Sequence, residues 1–368
     1  MNKRVLSLVQ LPPPVHGAAV MNKIVVSLFE NSNSIENRTI EMKFSKSLSD
    51  LRKPSFSKFL SVFIILFKLL KQLIFNRPSL VYFTLTPTGG GFLRDCLYVL
   101  VIKMFNIRLV YHLHGKGVNN FSKKKWLFDF LYKKVFKNET VILLAKELYS
   151  DVAKYVRFEN VIIVPNGLDC TSNKKAVNQS ITKYCFLSNL VQGKGVIDFL
   201  EAFYELYIVS SDIEAIVIGG YRADGTQLLV ESFLQNKDIE FSKRIKFLGP
   251  LYNEEKIAAL CASDVFVLPT HIDTFPLVLI EAMANSLPCI AYDEGATFSM
   301  VSEGDVGYVI EKGRIDLLSK AMKKFIDDPT LVKKMSLNAR KKYENEYTQE
   351  KFESRMIDAI TSIINTNN

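Results

Sequence analysis

Short apolar runs rich in Val, Ile and Leu alternate with helix-like patterns along the whole chain, and this alternation constrains the fold more than any other feature. In the first half the runs lie at residues 5–10, 40–44, 80–84, 108–112, 141–144 and 161–164. Between the first two, Val20, Met21, Ile24, Val25 and Leu28 fall at i, i+3 and i+4 spacing on one helical face. In the second half the runs lie at 184–187, 215–218, 245–248, 265–268, 289–291 and 307–310, with helical patterns at 196–208 and 254–262. Repeated strand–helix units of this kind predict parallel, doubly wound α/β sheets.

A chain of 368 residues is too long for one ordinary core and suits two such domains, and at 48% apolar residues it can fill both. The turn Pro165-Asn166-Gly167-Leu168-Asp169 and the polar, linker-like stretch 171–182 mark the change of domain. We therefore expect a Rossmann-like domain over 1–168, a second over 169–345, and a C-terminal helix within 346–368 that packs back towards the first. Open α/β sheets bind ligands where loops leave the carboxyl ends of their strands, so two of them facing each other predict one central cleft.

The five cysteines, Cys96, Cys170, Cys185, Cys261 and Cys289, are scattered, odd in number and without CxxC spacing. This argues against a disulfide framework and a structural zinc site, and fits a reducing compartment. The first apolar run breaks at a proline-rich loop, too early for a signal peptide. Charge is uneven: residues 1–170 hold 25 Lys and Arg against 11 Asp and Glu, whereas residues 171–368 hold 22 against 27. A basic first half suits nucleic acid, anionic lipid or a phosphorylated substrate. No nucleic-acid-binding module is legible, which leaves lipid or phosphate.

The segment richest in chemistry runs from His271 through Asp273, Thr274, Phe275, Pro276, Leu277 and Val278 to Glu281 and Ala284. It follows the run at 265–268 and opens a helix near Pro276, a residue suited to a first helical turn. Exposed backbone N–H groups in such a turn attract an anion. Asp273 stands just before them. Glu281 falls inside the helix among apolar residues, where a carboxylate needs hydrogen-bonding partners such as the hydroxyls of a ligand. The plain alternative is an N-capping Asp and an ordinary helical Glu.

This segment resembles the acidic-x7-Glu signature of family 4 of the retaining GT-B glycosyltransferases, with Asp273 in the first acidic position and Glu281 in the second. Its run Asp-Thr-Phe-Pro-Leu-Val-Leu-Ile-Glu-Ala-Met is similar to the version found in bacterial surface-polysaccharide transferases. The resemblance implies that Glu281 binds the ribose of a nucleotide-sugar donor, and that Asp273 and the amides following it hold the donor sugar and phosphates. Residues 186–196 resemble the family's Gly-Arg-Leu-x-x-x-Lys-Gly segment, which implies a place for Lys194 on the donor diphosphate. Asn189 stands where the family carries Arg, a departure that removes one cation. A lone loop Lys is otherwise a solvated charge. The turn at 165–169, and residues 247–250, 254–262 and 264–269, match the family in order.

The resemblance further implies two Rossmann-like domains facing a central cleft, retention by front-face attack, and no metal or other cofactor. The implied acceptor is a glycan or a polyprenyl-diphosphate-linked glycan in surface polysaccharide assembly. A nucleotide-sugar epimerase of the same architecture, or a catalytically weak partner subunit of another transferase, are the alternatives.

In the first domain, residues 12–19 join the first strand to the first helix, and Gly17 permits close backbone approach to a phosphate or sugar. Residues 86–91 and 111–117 form further loops behind strands. Three of the four histidines, His16, His112 and His114, lie in such loops, and strand alternation aims His112 and His114 to one side. The resemblance places His114 near the donor sugar. A metal pair competes with that reading, although no carboxylate or cysteine cluster completes it, and so does a structural histidine.

Two segments of the basic half are also aromatic: residues 57–71 (SKFLSVFIILFKLLK) and 121–137 (FSKKKWLFDFLYKKVFK). The uncharged run 59–67 is far shorter than the ~20 residues that span a bilayer. A helix of this kind either lies on an anionic membrane or packs on the sheet with a basic outer edge. Two such helices in one domain favour an anionic membrane surface. Together with the resemblance they imply a cytoplasmic protein, peripheral on the inner face of the cell membrane.

Overall fold

The computed structural model describes residues 3–44, 56–170, 182–210, 212–302 and 305–365. Nearly all of the expected linker lies outside them. The chain divides into two compact units, one formed by Met1–Asn166 with Phe352–Asn368 and one by Gly167–Lys351.

Unit 1 is built on β1 (Lys3–Val9), β2 (Ile35–Glu41), β3 (Leu80–Phe83), β4 (Arg108–Leu113), β5 (Thr140–Leu143) and β6 (Val161–Ile163). They pair in parallel in the order β2-β1-β3-β4-β5-β6. The connections carry α1 (Gly17–Glu30), α2 (Phe56–Phe75), α3 (Gly89–Met104), α4 (Val118–Lys124), α5 (Trp126–Val135) and α6 (Tyr149–Val152). Central β3, Leu-Val-Tyr-Phe, is buried at every residue, as a parallel strand covered on both faces must be.

The second strand starts and ends earlier than its apolar residues predict, at Ile35–Glu41 instead of 40–44. It is an edge strand that pairs only with β1, from Lys3↔Ile35 to Val9↔Glu41. With one flank open, polar residues such as Glu36, Asn37 and Arg38 are tolerated, and a search for apolar runs passes over them.

Unit 2 repeats the architecture with β7 (Thr182–Leu187), β8 (Ile213–Ile218), β9 (Ile245–Gly249), β10 (Val265–Leu268), β11 (Cys289–Tyr292) and β12 (Gly307–Ile310). The order is β12-β11-β10-β7-β8-β9, again parallel. Its helices are α7 (Val196–Val209), α8 (Thr226–Gln235), α9 (Ile239–Lys243), α10 (Asn253–Cys261), α11 (Leu277–Ala284), α12 (Thr297–Val301), α13 (Ile315–Asp327) and α14 (Thr330–Lys342). Aromatic rings of α7, Phe199 and Phe203, stack at 6.1 Å and fill the core against Tyr184, Phe186 and Val217.

The last helix, α15 (Gln349–Asn365), buries Phe352, Met356, Ala359 and Ile360 at i, i+4, i+7 and i+8. Its residues from Phe352 onward belong to unit 1. Arg108 of β4 donates to the carbonyls of Ile363 (2.8 Å) and Ile364 (3.1 Å), groups that a helix end leaves without partners.

The helices of the basic segments pack on the domain, but their outer faces are not simply basic. In α2, Ile65, Leu69 and Leu73 are buried at i, i+4 and i+8, so the helix does pack on the domain. Its outer face is largely apolar, with Phe59, Leu60, Phe63, Ile64 and Phe67 exposed, Phe67 at 72%, alongside exposed Lys68 and Lys71. The α3 helix contacts both α2 and α5. It adds an exposed stripe of Leu93, Leu97, Leu100 and Met104, and α5 adds Trp126, Leu127 and Phe130. Residues 121–137 are not one helix. The backbone turns extended at Lys125 (φ −143°), separating α4 from α5.

Candidate active site

In unit 2 the strand order reverses between β7 and β10, the switch point at which open α/β sheets bind ligands. The loop after β7 holds Asn189 and Lys194, and the loop after β10 holds Asp273 to Pro276. Gly195 follows Lys194 at φ 79°, and a Cβ there would stand 1.8 Å from the Pro269 carbonyl oxygen. Only glycine combines that backbone with that approach, so the two loops lie against each other. The Gly193 carbonyl then accepts from the amides of His271 (2.9 Å) and Ile272 (3.2 Å).

This stitching brings Lys194 to Asp273. Lys194 Nζ donates to Asp273 Oδ2 at 2.5 Å and to the Ile272 carbonyl at 3.0 Å. With side chains only 25% and 18% exposed, the lysine is not a freely solvated charge. Nor is Asp273 an N-cap, because Pro276 occupies that position of α11. The Asp273 amide points to Glu294 Oε1 (3.4 Å), whose other oxygen takes Lys312 Nζ at 2.8 Å.

The first turn of α11 begins at Leu277 and Val278, whose amides have no acceptor within the helix. No acidic side chain occupies that turn, so its partial positive charge is uncompensated. Thr274 donates its amide to Asp273 Oδ1 (3.2 Å), and its carbonyl accepts from Ala296 (3.0 Å). The Phe275 side chain is buried, 6.1 Å from the Tyr347 ring, so it contributes backbone and not its ring to any ligand.

Glu281, on the next turn of α11, is held by a residue that sequence reasoning missed. Lys256 Nζ, from α10, donates to Glu281 Oε1 at 2.9 Å. The other oxygen, Oε2, is buried without a partner. A shielded carboxylate oxygen with unused acceptor capacity suits a ligand hydroxyl. The signal for Lys256 was indirect: a carboxylate among apolar helical residues requires a cation or donors from elsewhere. Burial, with the Glu281 charge behind it, pushes the nearby Cys170 thiol up to about 12, so it stays protonated and unreactive at neutral pH.

Asn189 accepts a hydrogen bond from Arg222 Nη2 at 3.0 Å, from the loop after β8. Lys194, Asn189, Asp273, the 274–278 backbone and Glu281 therefore all stand in unit 2. Gly17 and His114 stand in unit 1.

There, exposed Gly17 opens α1 behind β1, and His16 caps the helix, its Nδ1 accepting from the Ala19 amide at 3.3 Å. His112 on β4 is fully buried, its Nδ1 2.6 Å from the Tyr82 hydroxyl. The His114 ring lies 4.1 Å from that of His112. The Nε2 atoms of both are buried without partners. Burial brings His114 down to about 3, with the His16 charge adding to it, and holds His112 well below its usual value. Both are neutral at neutral pH. Among the described residues, no group of three or more His, Cys, Asp or Glu is placed to hold a metal ion.

These two histidines predict acid lability. Each binds a proton more readily in the unfolded chain, so stability is complete above about pH 6.5 and falls as pH drops towards 3. The slope is at most about 1.4 kcal/mol per pH unit for each residue. Melting temperatures measured from pH 7.5 to 4.5 should decline, and His114→Gln should flatten the decline. Parallel slopes in the two proteins would contradict the assignment.

Residues 171–342 match the family model described as glycosyl transferases group 1. The chain carries a group 1 glycosyltransferase domain. This glycosyltransferase is 27% identical over 318 residues to the UDP-Gal:alpha-D-GlcNAc-diphosphoundecaprenol alpha-1,3-galactosyltransferase of Escherichia coli, which covers 80% of this chain and 77% of the relative. It is also 27% identical over 216 residues to the capsular polysaccharide biosynthesis glycosyltransferase CapM of Staphylococcus aureus, across 57% of this chain and 52% of CapM. Among solved structures, Anabaena HepE in complex with UDP superposes with a TM-score of 0.74 at 15% identity, over 98% of this chain and 100% of HepE. The glycosyltransferase thus has the GT-B fold, with two Rossmann-like units. The two sequence relatives are named as transferases, which does not favour the epimerase or the partner subunit.

Proposed function

We propose that this glycosyltransferase moves a sugar from a nucleotide-sugar donor, with retention of anomeric configuration, to a lipid-linked glycan in surface polysaccharide assembly. One observation carries the donor half of the reading. Lys194, Asp273, the open N-terminus of α11 and a half-satisfied Glu281 meet at the switch point of one sheet. On this reading the donor phosphates lie on the 274–278 backbone, and the ribose hydroxyls donate to Glu281 Oε2. Lys194 exchanges Asp273 for the leaving diphosphate, where fixed positive charge lowers the barrier most. Asp273, released, accepts a hydrogen bond from a hydroxyl of the donor sugar. A place for neutral His114 near that sugar rests on the family resemblance alone. Retention and independence from a metal or other cofactor rest on the family resemblance.

The test has two steps. A panel of nucleotide sugars should raise the melting temperature for the true donor, since binding at 100 times Kd stabilises by about 2.7 kcal/mol. NMR of the product should then show the donor's anomeric configuration. Stabilisation by none of the panel would sink the donor reading, and an inverted product would sink retention.

The acceptor half draws on the E. coli relative, whose name places its acceptor on diphosphoundecaprenol. No helix among the described residues is long and apolar enough to cross a membrane. The outer faces of α2, α3 and α5 instead carry exposed aromatic and aliphatic side chains, and exposed Lys123 and Lys124 of α4, Lys125 at the break and Lys134 of α5 add positive charge. That combination suits docking on the anionic inner leaflet, each lysine contributing about 1 kcal/mol. Lys133 is a weaker contributor because it already pairs with Asp129 at 2.7 Å. Changing those four lysines to Glu should release the protein from anionic vesicles, and Phe63→Ser with Phe67→Ser should weaken binding even at low salt. Sedimentation at two salt concentrations checks this. Equal binding of wild type to anionic and neutral vesicles, or to neither, would contradict it.

A further inference from the structure

We propose that Arg222 is a second cation for the leaving diphosphate, delivered from the loop after β8 to the place where Asn189 replaces the family's Arg. The inference rests on the donor reading above and adds a residue to it.

The loops after β7 and β8 stay joined beyond the end of their strands. The Ser188 amide donates to the Ile218 carbonyl (3.1 Å) and the Leu190 amide to the Gly220 carbonyl (2.9 Å). Leu190 and Tyr221 form one more parallel bridge. This contact depends on Gly219, at φ 146°, where a Cβ would stand 1.8 Å from the Ser188 carbonyl oxygen. On the far side of Arg222, Asp224 Oδ2 accepts from the Gln192 amide (3.3 Å) and Oδ1 from the Thr226 amide (3.2 Å). The backbone of Arg222 is thereby pinned at both ends to the loop that carries Lys194.

Its charge is uncommitted. The other cations around the switch point each have a carboxylate: Lys194 has Asp273, Lys256 has Glu281, and Lys312 has Glu294. Arg222 has no carboxylate in ion-pair range among the described residues, and its one side-chain partner is the neutral Asn189 carbonyl. That bond orients the guanidinium without neutralising it and uses one of five N–H groups. An exposed surface Arg normally needs no explanation. One held by a neutral amide on the Lys194 loop is pre-organised for an anion, and the planar fork matches two phosphate oxygens.

Isothermal titration with UDP, GDP and dTDP as probes identifies the nucleotide that binds, and the matching nucleoside serves as control. Arg222→Ala should weaken the bound nucleoside diphosphate about tenfold and leave the nucleoside unchanged. Arg222→Lys should recover part of the loss, and Asn189→Arg in the Arg222→Ala background should restore most of it. All of these changes are on exposed loop positions, and melting curves report whether each variant is folded. Unchanged diphosphate affinity in Arg222→Ala, or equal losses for nucleoside and nucleoside diphosphate, would overturn the proposal while leaving the donor reading in place. Failure of the wild type to bind any of the three diphosphates would overturn the donor reading itself.

Discussion

Lys194→Ala should lower turnover by about a hundred- to a thousandfold, the loss expected when a fixed donor to developing charge is removed. The substitution is a clean one because the fold does not depend on the ammonium. Lys194 lies on a short turn whose backbone is held by Gly193 and Gly195, and its side chain keeps 25% of its surface exposed. The melting temperature should therefore move by no more than a few degrees. Removing the ammonium frees Asp273, and a lone carboxylate beside the donor phosphates repels them, so donor KM should rise as kcat falls. Asp273→Asn in the Lys194→Ala background should reverse the rise in KM without restoring kcat. Lys194→Arg keeps the charge with a different reach and should recover only part of the rate. Unchanged kinetics in a folded Lys194→Ala protein would show that the lysine serves Asp273 alone.

The second large effect is at Glu281. Glu281→Ala should reduce kcat/KM for the donor by about a hundredfold, because two strong hydrogen bonds to a charged acceptor are lost at once. Its magnitude is bounded by Lys256, which would be left partly buried without its carboxylate and would draw water or solute anions into the gap. Glu281→Gln retains one acceptor oxygen and should be the milder change. The decisive comparison uses a 2′-deoxy donor. Wild type should lose with that donor much of what Glu281→Ala loses with the ribose form, and the variant should be nearly blind to the change. Additive losses across that cycle would place Glu281 away from the ribose.

Several residues were legible because their signals are local. Pro276 at the mouth of an apolar helix, and two acids with seven residues between them, can be read within one short segment. The same locality explains two misreadings. The edge strand β2 carries Glu36, Asn37 and Arg38, so the apolar run at 40–44 marks only its end. The break at Lys125 has neither Gly nor Pro to mark it, and the run of basic and aromatic residues continues across it.

By itself the sequence determined the α/β alternation, the parallel strands and the segments that border the switch points, because period, turn chemistry and burial of central strands are written in neighbouring residues. It left open which charges meet. Lys194 and Asp273 are 79 positions apart, Lys256 and Glu281 are 25 apart, and Arg222 and Asn189 are 33 apart. Those pairings follow from the strand order, which sets β7 between β10 and β8 and brings three separate loops to one edge of the sheet. The outer face of α2 was undecided for the same reason. An apolar helix shows from its sequence that it has more greasy surface than one contact can cover, and only the packed domain shows which residues, Phe59, Phe63 and Phe67 among them, are left outside.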